Sequence, residues 1–214
     1  MISVSQLHTR IRNQADIPED VRYPDPLIDE YINRAQNSVM ERYYKLYELN
    51  QITSDVIAPF VVQKYTTAGT FGEVTLVTSD NYRHILTMST GSLTVQNKVI
   101  RIRKSELADF NEILDLSYIE PTDDEPLFIQ VGAGVFEIHG TDAGAVPSFK
   151  NKTILVRFLH NPVEVSLAGA IDSQFPAFAE NELINEAVLL IGITRGVNAS
   201  QVETSLLNIK RETS

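Results

Sequence analysis

Residues 187–193, AVLLIGI, constrain the fold of this chain more than any other stretch. They lie in the middle of a predicted helix and leave little of its circumference polar. Glu180, Glu182 and Glu186 come early in this helix, where acids suit the helix dipole, and Gly196 is a typical helix stop. Because a bilayer span needs about 20 apolar residues, we expect no membrane segment here. The helix should instead be buried in a protein core or a subunit interface.

A long amphipathic helix is predicted over residues 26–49, after a shorter helix over residues 4–13. Asp25 is a typical N-cap residue, and Pro26 fits the first helical position. At 1.5 Å per residue the long helix would extend about 36 Å. Its apolar face consists of residues that recur every three or four positions: Leu27, Ile28, Tyr31, Ile32, Ala35, Val39, Tyr43, Leu46 and Tyr47.

After Asn50 the apolar period changes from helical spacing to two. Segments rich in Val, Ile and Thr alternate with turn residues such as Gly132-Ala133-Gly134, which indicates short strands and hairpins. The predicted strands lie within residues 56–65, 73–79, 83–89, 92–97, 98–104, 126–131, 135–140 and 152–160. Together they predict a compact antiparallel β unit from about residue 55 to 165.

These patterns predict an α+β fold in which long paired helices, one N-terminal and one C-terminal, carry an inserted antiparallel β unit. The expected parts are residues 1–50 for the N-terminal helical part and 51–165 for the β unit. Residues 166–214 form the C-terminal helix and tail, which should pack on the N-terminal helix. The apolar C-terminal helix would then contact the long helix on one side and a neighbouring subunit or the β unit on the other.

The amino-acid composition argues against several kinds of functional site. The chain has no Cys, so disulfides, zinc–thiolate sites and thiol catalysis are excluded. Its formal net charge of −10 argues against a general phosphate-binding surface. The basic run at residues 101–104, RIRK, is therefore interpreted as a salt-bridged sheet edge or a subunit contact. The histidines fall in separate segments without metal-ligand spacing: His8, His84, His139 and His160.

Asp123, Asp124 and Glu125 are the one group of carboxylates that suggests catalysis or cation binding. They lack the spaced oxygen ligands and the glycine of a calcium loop, so a solvated acidic turn is the preferred interpretation. A small hydrolase or a carbohydrate-binding module that uses these acids remains as an alternative. We expect no enzyme activity, no metal and no cofactor.

Three tyrosines near the end of the long helix point to an interface. Since Tyr43, Tyr44 and Tyr47 lie within five residues, they do not all share one direction, and exposed aromatic residues favour interfaces. Apolar and basic positions in the C-terminal helix and tail complete the predicted subunit or partner interface. Its members are Tyr43, Tyr44, Tyr47, Val188, Leu190, Ile191, Val202, Leu206, Leu207, Lys210 and Arg211.

The order of these elements resembles a known family over residues 1–196. An Asp-Pro-Leu-Ile helix start at residues 25–28 and an Asn-Arg-Ala step at residues 33–35 follow a short first helix. Lys104 to Leu107 (KSEL) precedes two Glu-Pro steps, and ILVRFLHNPVEV leads to the last helix, PAFAENELINEAVLLIGITRG. This layout is similar to that of tailed-phage head-to-tail adaptor, or neck ring, proteins, in particular the ring proteins of crAss-like and related podoviruses.

The resemblance implies a structural virion protein, made in the cytoplasm of a host bacterium. It implies a homo-oligomeric ring of twelve copies between the portal protein and an adjacent tail or neck ring protein. DNA would pass through the lumen without sequence-specific binding, and an acidic lumen would let it slide. Other virion assembly roles, in tail-tube completion or capsid decoration, use similar parts and stay open as alternatives.

Overall fold

The structure is a computed structural model that describes residues 1–17, 22–50, 54–70, 72–90, 100–105, 121–122, 124–140 and 149–195. The chain divides into two compact units. A helical unit consists of Met1–Phe60 and the described residues from Pro162 onward, and a sheet unit consists of Val61–Asn161.

The helical unit is built on three helices. Helix α1 spans Val4–Gln14, α2 spans Asp25–Asn50 and α3 spans Glu180–Thr194. Helix α2 thus extends one residue beyond the predicted range at each end. Its buried face follows the apolar spacing of the sequence, with Ile28, Ile32 and Val39 almost fully enclosed.

Helix α3 contacts both α1 and α2, so two neighbours in the same unit cover it. Its buried residues recur at three- and four-residue steps and form one broad face of the helix: Leu183, Ile184, Ala187, Val188, Ile191 and Gly192. This arrangement accounts for the apolar segment without a membrane. None of the helices in the described part of the chain combines the length and the hydropathy that a bilayer span requires.

The sheet unit contains one sheet of seven strands in the order β1-β7-β3-β4-β5-β6-β2. The strands are β1 (Val61–Thr67), β2 (Glu73–Thr75), β3 (Tyr82–Thr90), β4 (Ile100–Lys104), β5 (Leu127–Gly132), β6 (Val135–His139) and β7 (Thr153–His160). The edge strands β1 and β2 come close to each other, so the sheet nearly closes into a barrel. All neighbouring strands are antiparallel except β4 and β5, which pair in parallel through Arg103 and Lys104.

The interior of this sheet is a single apolar core. Its rings meet at their edges, with Tyr82 and Phe128 both in edge contact with Phe136 at centroid distances of 5.8 and 6.2 Å. The buried members are Ala68, Val74, Leu76, Ile85, Met88, Ile102, Phe128, Phe136, Ile138, Phe149, Ile154, Val156 and Phe158.

The predicted fold class is wrong. The chain does not consist of long paired helices with a small inserted β unit, because the nearly closed seven-stranded sheet is a compact unit of its own and not a small insertion. It is also not purely antiparallel, since β4 and β5 run in the same direction. The stretch from Lys104 to Leu127 gives the length that a parallel crossover needs. Periodicity marks each strand separately, but it does not reveal that β7 pairs with both β1 and β3.

Candidate functional site

A stripe of polar side chains on α2 binds the main chain of an extended segment. Asp29, Asn33 and Gln36 follow one another at helical spacing and so lie on one face of α2. The amide of Leu167 donates to Asp29 at 3.1 Å, and the amide of Val165 donates to Asn33 Oδ1 at 2.8 Å. Gln36 donates from Nε2 to the carbonyl oxygen of Val163 at 3.2 Å. We call these three residues the polar stripe.

The polar stripe replaces the hydrogen bonds that a neighbouring strand would supply to residues 163–167. Gln36 is 1% exposed, and its Oε1 accepts a hydrogen bond from the hydroxyl of the fully buried Ser173 at 2.8 Å. A buried amide costs free energy unless it is paired, so these contacts fix the path of the segment along α2. The sequence pattern did not single out any of these three residues as a candidate site residue. The spacing of the three polar residues was the signal that could have shown their common role.

His8 joins α1 to the same stripe. Its ring is 4% exposed, with Nε2 at 2.7 Å from Asp29 Oδ1 and Nδ1 at 3.6 Å from Asp25 Oδ1. Arg12 donates from Nη2 to the Asp25 carboxylate at 2.7 Å. This hydrogen bond from the Arg12 guanidinium is the main reason that the pKa of Asp25 is lowered. These contacts hold the start of α2 against α1.

A cleft of about 550 Å³ runs beside the polar stripe. Its lining mixes polar and apolar side chains, and it contains more acids than bases: Asp29, Glu30 and Glu164 against Arg34, which pairs with Glu30. Two apolar side chains next to it face solvent, since Val163 is 43% and Ile171 41% exposed. We call this feature the acidic cleft. It offers carboxylates together with exposed apolar area, and such a surface suits a partner of opposite charge.

Polar contacts between α2 and α3 set the direction of the two helices. The hydroxyl of Ser38 donates to Glu186 at 2.6 Å, and the hydroxyl of Tyr43 donates to Glu182 at 2.9 Å. Later residues of α2 therefore meet earlier residues of α3, so the helices are antiparallel. Arg42 bonds to both glutamates. Burial, with a further contribution from Glu182, raises the pKa of Tyr43.

Because the helices are antiparallel, the end of α2 and the start of α3 lie at the same end of the helical unit. Three large apolar side chains are exposed there: Leu46 at 46%, Leu49 at 79% and Phe178 at 67%. We call these residues the apolar end. Single exposed apolar residues are common on proteins, but three at one end, one of them aromatic, indicate a contact surface.

The predicted interface residues fall into three groups. Tyr44 and Tyr47 are buried, with rings stacked at 6.3 Å, and Val188 and Ile191 are buried in α3. Tyr43 and Leu190 are partly exposed. The predicted tail positions Val202, Leu206, Leu207, Lys210 and Arg211 lie outside the described residues.

Basic residues of the sheet unit lie on its outer surface. Arg101 and Arg103 alternate with the buried Ile102, and Arg103 donates to Glu125 at 3.1 Å. A third arginine, Arg157 of β7, is also exposed. The sequence interpretation overlooked it, because it lies far from the RIRK run in the chain and becomes its neighbour only through the order of the strands.

The candidate acidic triplet does not form an enclosed site in the part that the structure describes. Glu125 is exposed and pairs with Arg103, whereas Asp123 lies outside the described residues. Among the described residues, no three His, Asp or Glu side chains lie together in a way that could hold a metal ion.

Comparison with known proteins adds no assignment. No protein-family model matches this chain, and no curated protein matches it.

Proposed function

We propose that this chain is a structural virion protein that assembles into a homo-oligomeric ring at the neck of a tailed phage. The ring, of twelve copies, lies between the portal protein and an adjacent tail or neck ring protein. DNA passes through it without sequence-specific binding. The proposal starts from the resemblance in the order of the elements, and a structural feature that the resemblance does not use adds support to it.

The observation that carries the proposal is the apolar end. Leu49 and Phe178 expose more of their surface than any other large apolar residue in the described chain except Met1. Leaving such side chains in water is unfavourable, and their burial stabilises an assembly by roughly 1.5 to 3 kcal/mol per side chain. In an assembled particle a partner protein would bury these side chains, and this accounts for their exposure in the single chain.

Cryo-electron imaging of virions from the source tests this proposal. A ring of density directly below the portal, into which the helical and sheet units fit, is the expected result. Mass spectrometry of purified particles should detect the chain in the virion. Particles whose neck lacks the chain, with the protein found only on the capsid surface or only in infected-cell lysate, would overturn the proposal.

A further inference from the structure

Three arginines from two strands share the outward face of the sheet. On β4, Ile102 belongs to the core, so Arg101 and Arg103 point to the other side. On β7, Val156 and Phe158 belong to the core, so Arg157 also points outward. Only β3 lies between β4 and β7, which places their backbones about 10 Å apart. The arginines therefore form one basic group, here called the arginine face.

Exposed uncharged residues extend the arginine face across β1. Gln63 lies opposite Arg157, and Tyr65, two residues further along the same face, lies opposite Leu155. Tyr65 is 48% exposed. Arg157 forms no ion pair with the part of the chain that the structure describes, and the pair of Arg103 with Glu125 is exposed on both sides, at 58% and 72%. A second partner can therefore reach both the positive charge and the aromatic ring.

The acidic cleft of the helical unit has the matching properties. Glu30 and Glu164 line it; Glu30 pairs with Arg34, whereas Glu164 has no ion pair among the described residues. Ile171 and Val163 supply the exposed apolar area beside these acids. Arginine with an aromatic neighbour fits a surface of carboxylates and aliphatic side chains. The same chain thus carries two different surfaces of complementary charge.

We infer that the arginine face of one copy binds the acidic cleft of a second copy, with Arg157 paired to Glu164. This inference rests on the proposed function and names one contact by which the ring assembles. A contact between two different surfaces is head-to-tail, so it repeats from copy to copy and closes into a ring when the rotation permits. Duplex DNA is the less suitable occupant, because a chain of net charge −10 repels it.

The absence of Cys from the chain makes a direct test possible. One tagged copy carries Gln63→Cys on the arginine face, and a differently tagged copy carries Asn37→Cys at the acidic cleft. A short bismaleimide is added to the mixture of the two full-length proteins. We expect a covalent heterodimer, and the matched control, Asn13→Cys on α1 in place of Asn37→Cys, should give about tenfold less.

Charge reversal then tests the ion pair itself. Arg157→Glu in the first copy should lower the cross-link yield about tenfold, because it places like charges together. Glu164→Arg in the second copy should restore the yield, which a defect in folding would not allow. Arg157→Gln should have an intermediate effect, and Lys150→Glu, a reversal at an exposed turn outside the arginine face, should have none.

Several results would overturn the contact. They are equal cross-linking of the Asn13→Cys control, a yield that Arg157→Glu does not change, and a loss that Glu164→Arg does not restore. Binding of a duplex oligonucleotide that Arg157→Glu abolishes, without any cross-link, would assign the face to DNA. A ring in virion necks without this cross-link overturns the contact alone. A specific cross-link in a chain that is absent from virion necks overturns the ring instead.

Discussion

The imidazole of His8 lies 2.7 Å, from Nε2 to Oδ1, from the carboxylate of Asp29, and this contact links α1 to α2. The same carboxylate accepts the amide of Leu167 at 3.1 Å. Asp29 is therefore the point where two helices and the segment 163–167 meet. Its side chain is 13% exposed, so water does not replace these partners easily.

We expect Asp29→Ala to destabilise the protein by about 3 kcal/mol, because it leaves the His8 ring and the Leu167 amide without their acceptor. Denaturant unfolding at neutral pH measures this free energy. The control is Glu30→Ala on the next position, whose exposed ion pair with Arg34 is worth about 0.5 kcal/mol or less. Equal losses for the two variants would show that the Asp29 contacts do not hold the unit together.

The sequence predicted α2 closely because its apolar period extends over seven turns and Asp25-Pro26 marks its start. It did not predict the role of the polar stripe. A helical pattern separates apolar from polar positions, but it treats every polar residue as a solvent-facing one. Gln36 is an exception to that rule, because it is only 1% exposed. Its hydrogen-bond partners Val163 and Ser173 are more than a hundred residues away in the sequence, so a local pattern does not reveal them.

The sheet shows a similar limit. The alternation of apolar and basic residues over 100–103 agrees with the inward Ile102 and the outward arginines of β4, which is a local property. The fold class depended on long-range pairing instead. β7 lies between β1 and β3, and a parallel pair joins β4 to β5, so a series of hairpins was the wrong model for the sheet. The arginine face consequently appears only when the strand order places β7 one strand away from β4.

Gly134 in the turn between β5 and β6 gives a sharper test of the sheet. Its φ of +77° suits glycine, and a Cβ there would lie 2.6 Å from the carbonyl oxygen of Leu76. We expect Gly134→Ala to cost at least about 2 kcal/mol of unfolding free energy. Gly132→Ala is the control, because its Cβ would meet Val135 at an ordinary 3.7 Å. Thermal or denaturant unfolding of both variants measures this difference in stability. If Gly134→Ala is no less stable than Gly132→Ala, the result contradicts the geometry of this turn.

The burial of Tyr44 predicts that the protein loses stability at high pH. Burial of its ring, with a smaller contribution from the Glu48 carboxylate, raises the pKa of Tyr44 above its ordinary value. The folded state therefore favours the neutral phenol. This contribution to stability is complete below the unfolded pKa of about 10, and it is lost as the pH rises toward the folded pKa.

Unfolding free energies measured at increasing alkaline pH should decrease for the native chain, and Tyr44→Phe should reduce that decrease. Since burial is the larger cause, Glu48→Gln should keep most of the pH dependence. A pH dependence that Tyr44→Phe leaves unchanged would mean that another group is responsible.

Substitutions in the apolar end should affect assembly of the particle without affecting the stability of the folded chain. Leu49 and Phe178 are 79% and 67% exposed, so Leu49→Ser and Phe178→Ser should change the unfolding free energy by no more than about 0.5 kcal/mol. In the assembled particle each change removes a buried apolar side chain, and the loss of roughly 1.5 kcal/mol or more weakens association at least about tenfold. Incorporation of each variant into particles, measured by quantitative mass spectrometry, checks this expectation.

Val77→Ser is the matched control, because Val77 is 51% exposed but lies in the sheet unit. If both apolar-end variants are incorporated normally, the exposed residues Leu49 and Phe178 no longer support the ring proposal.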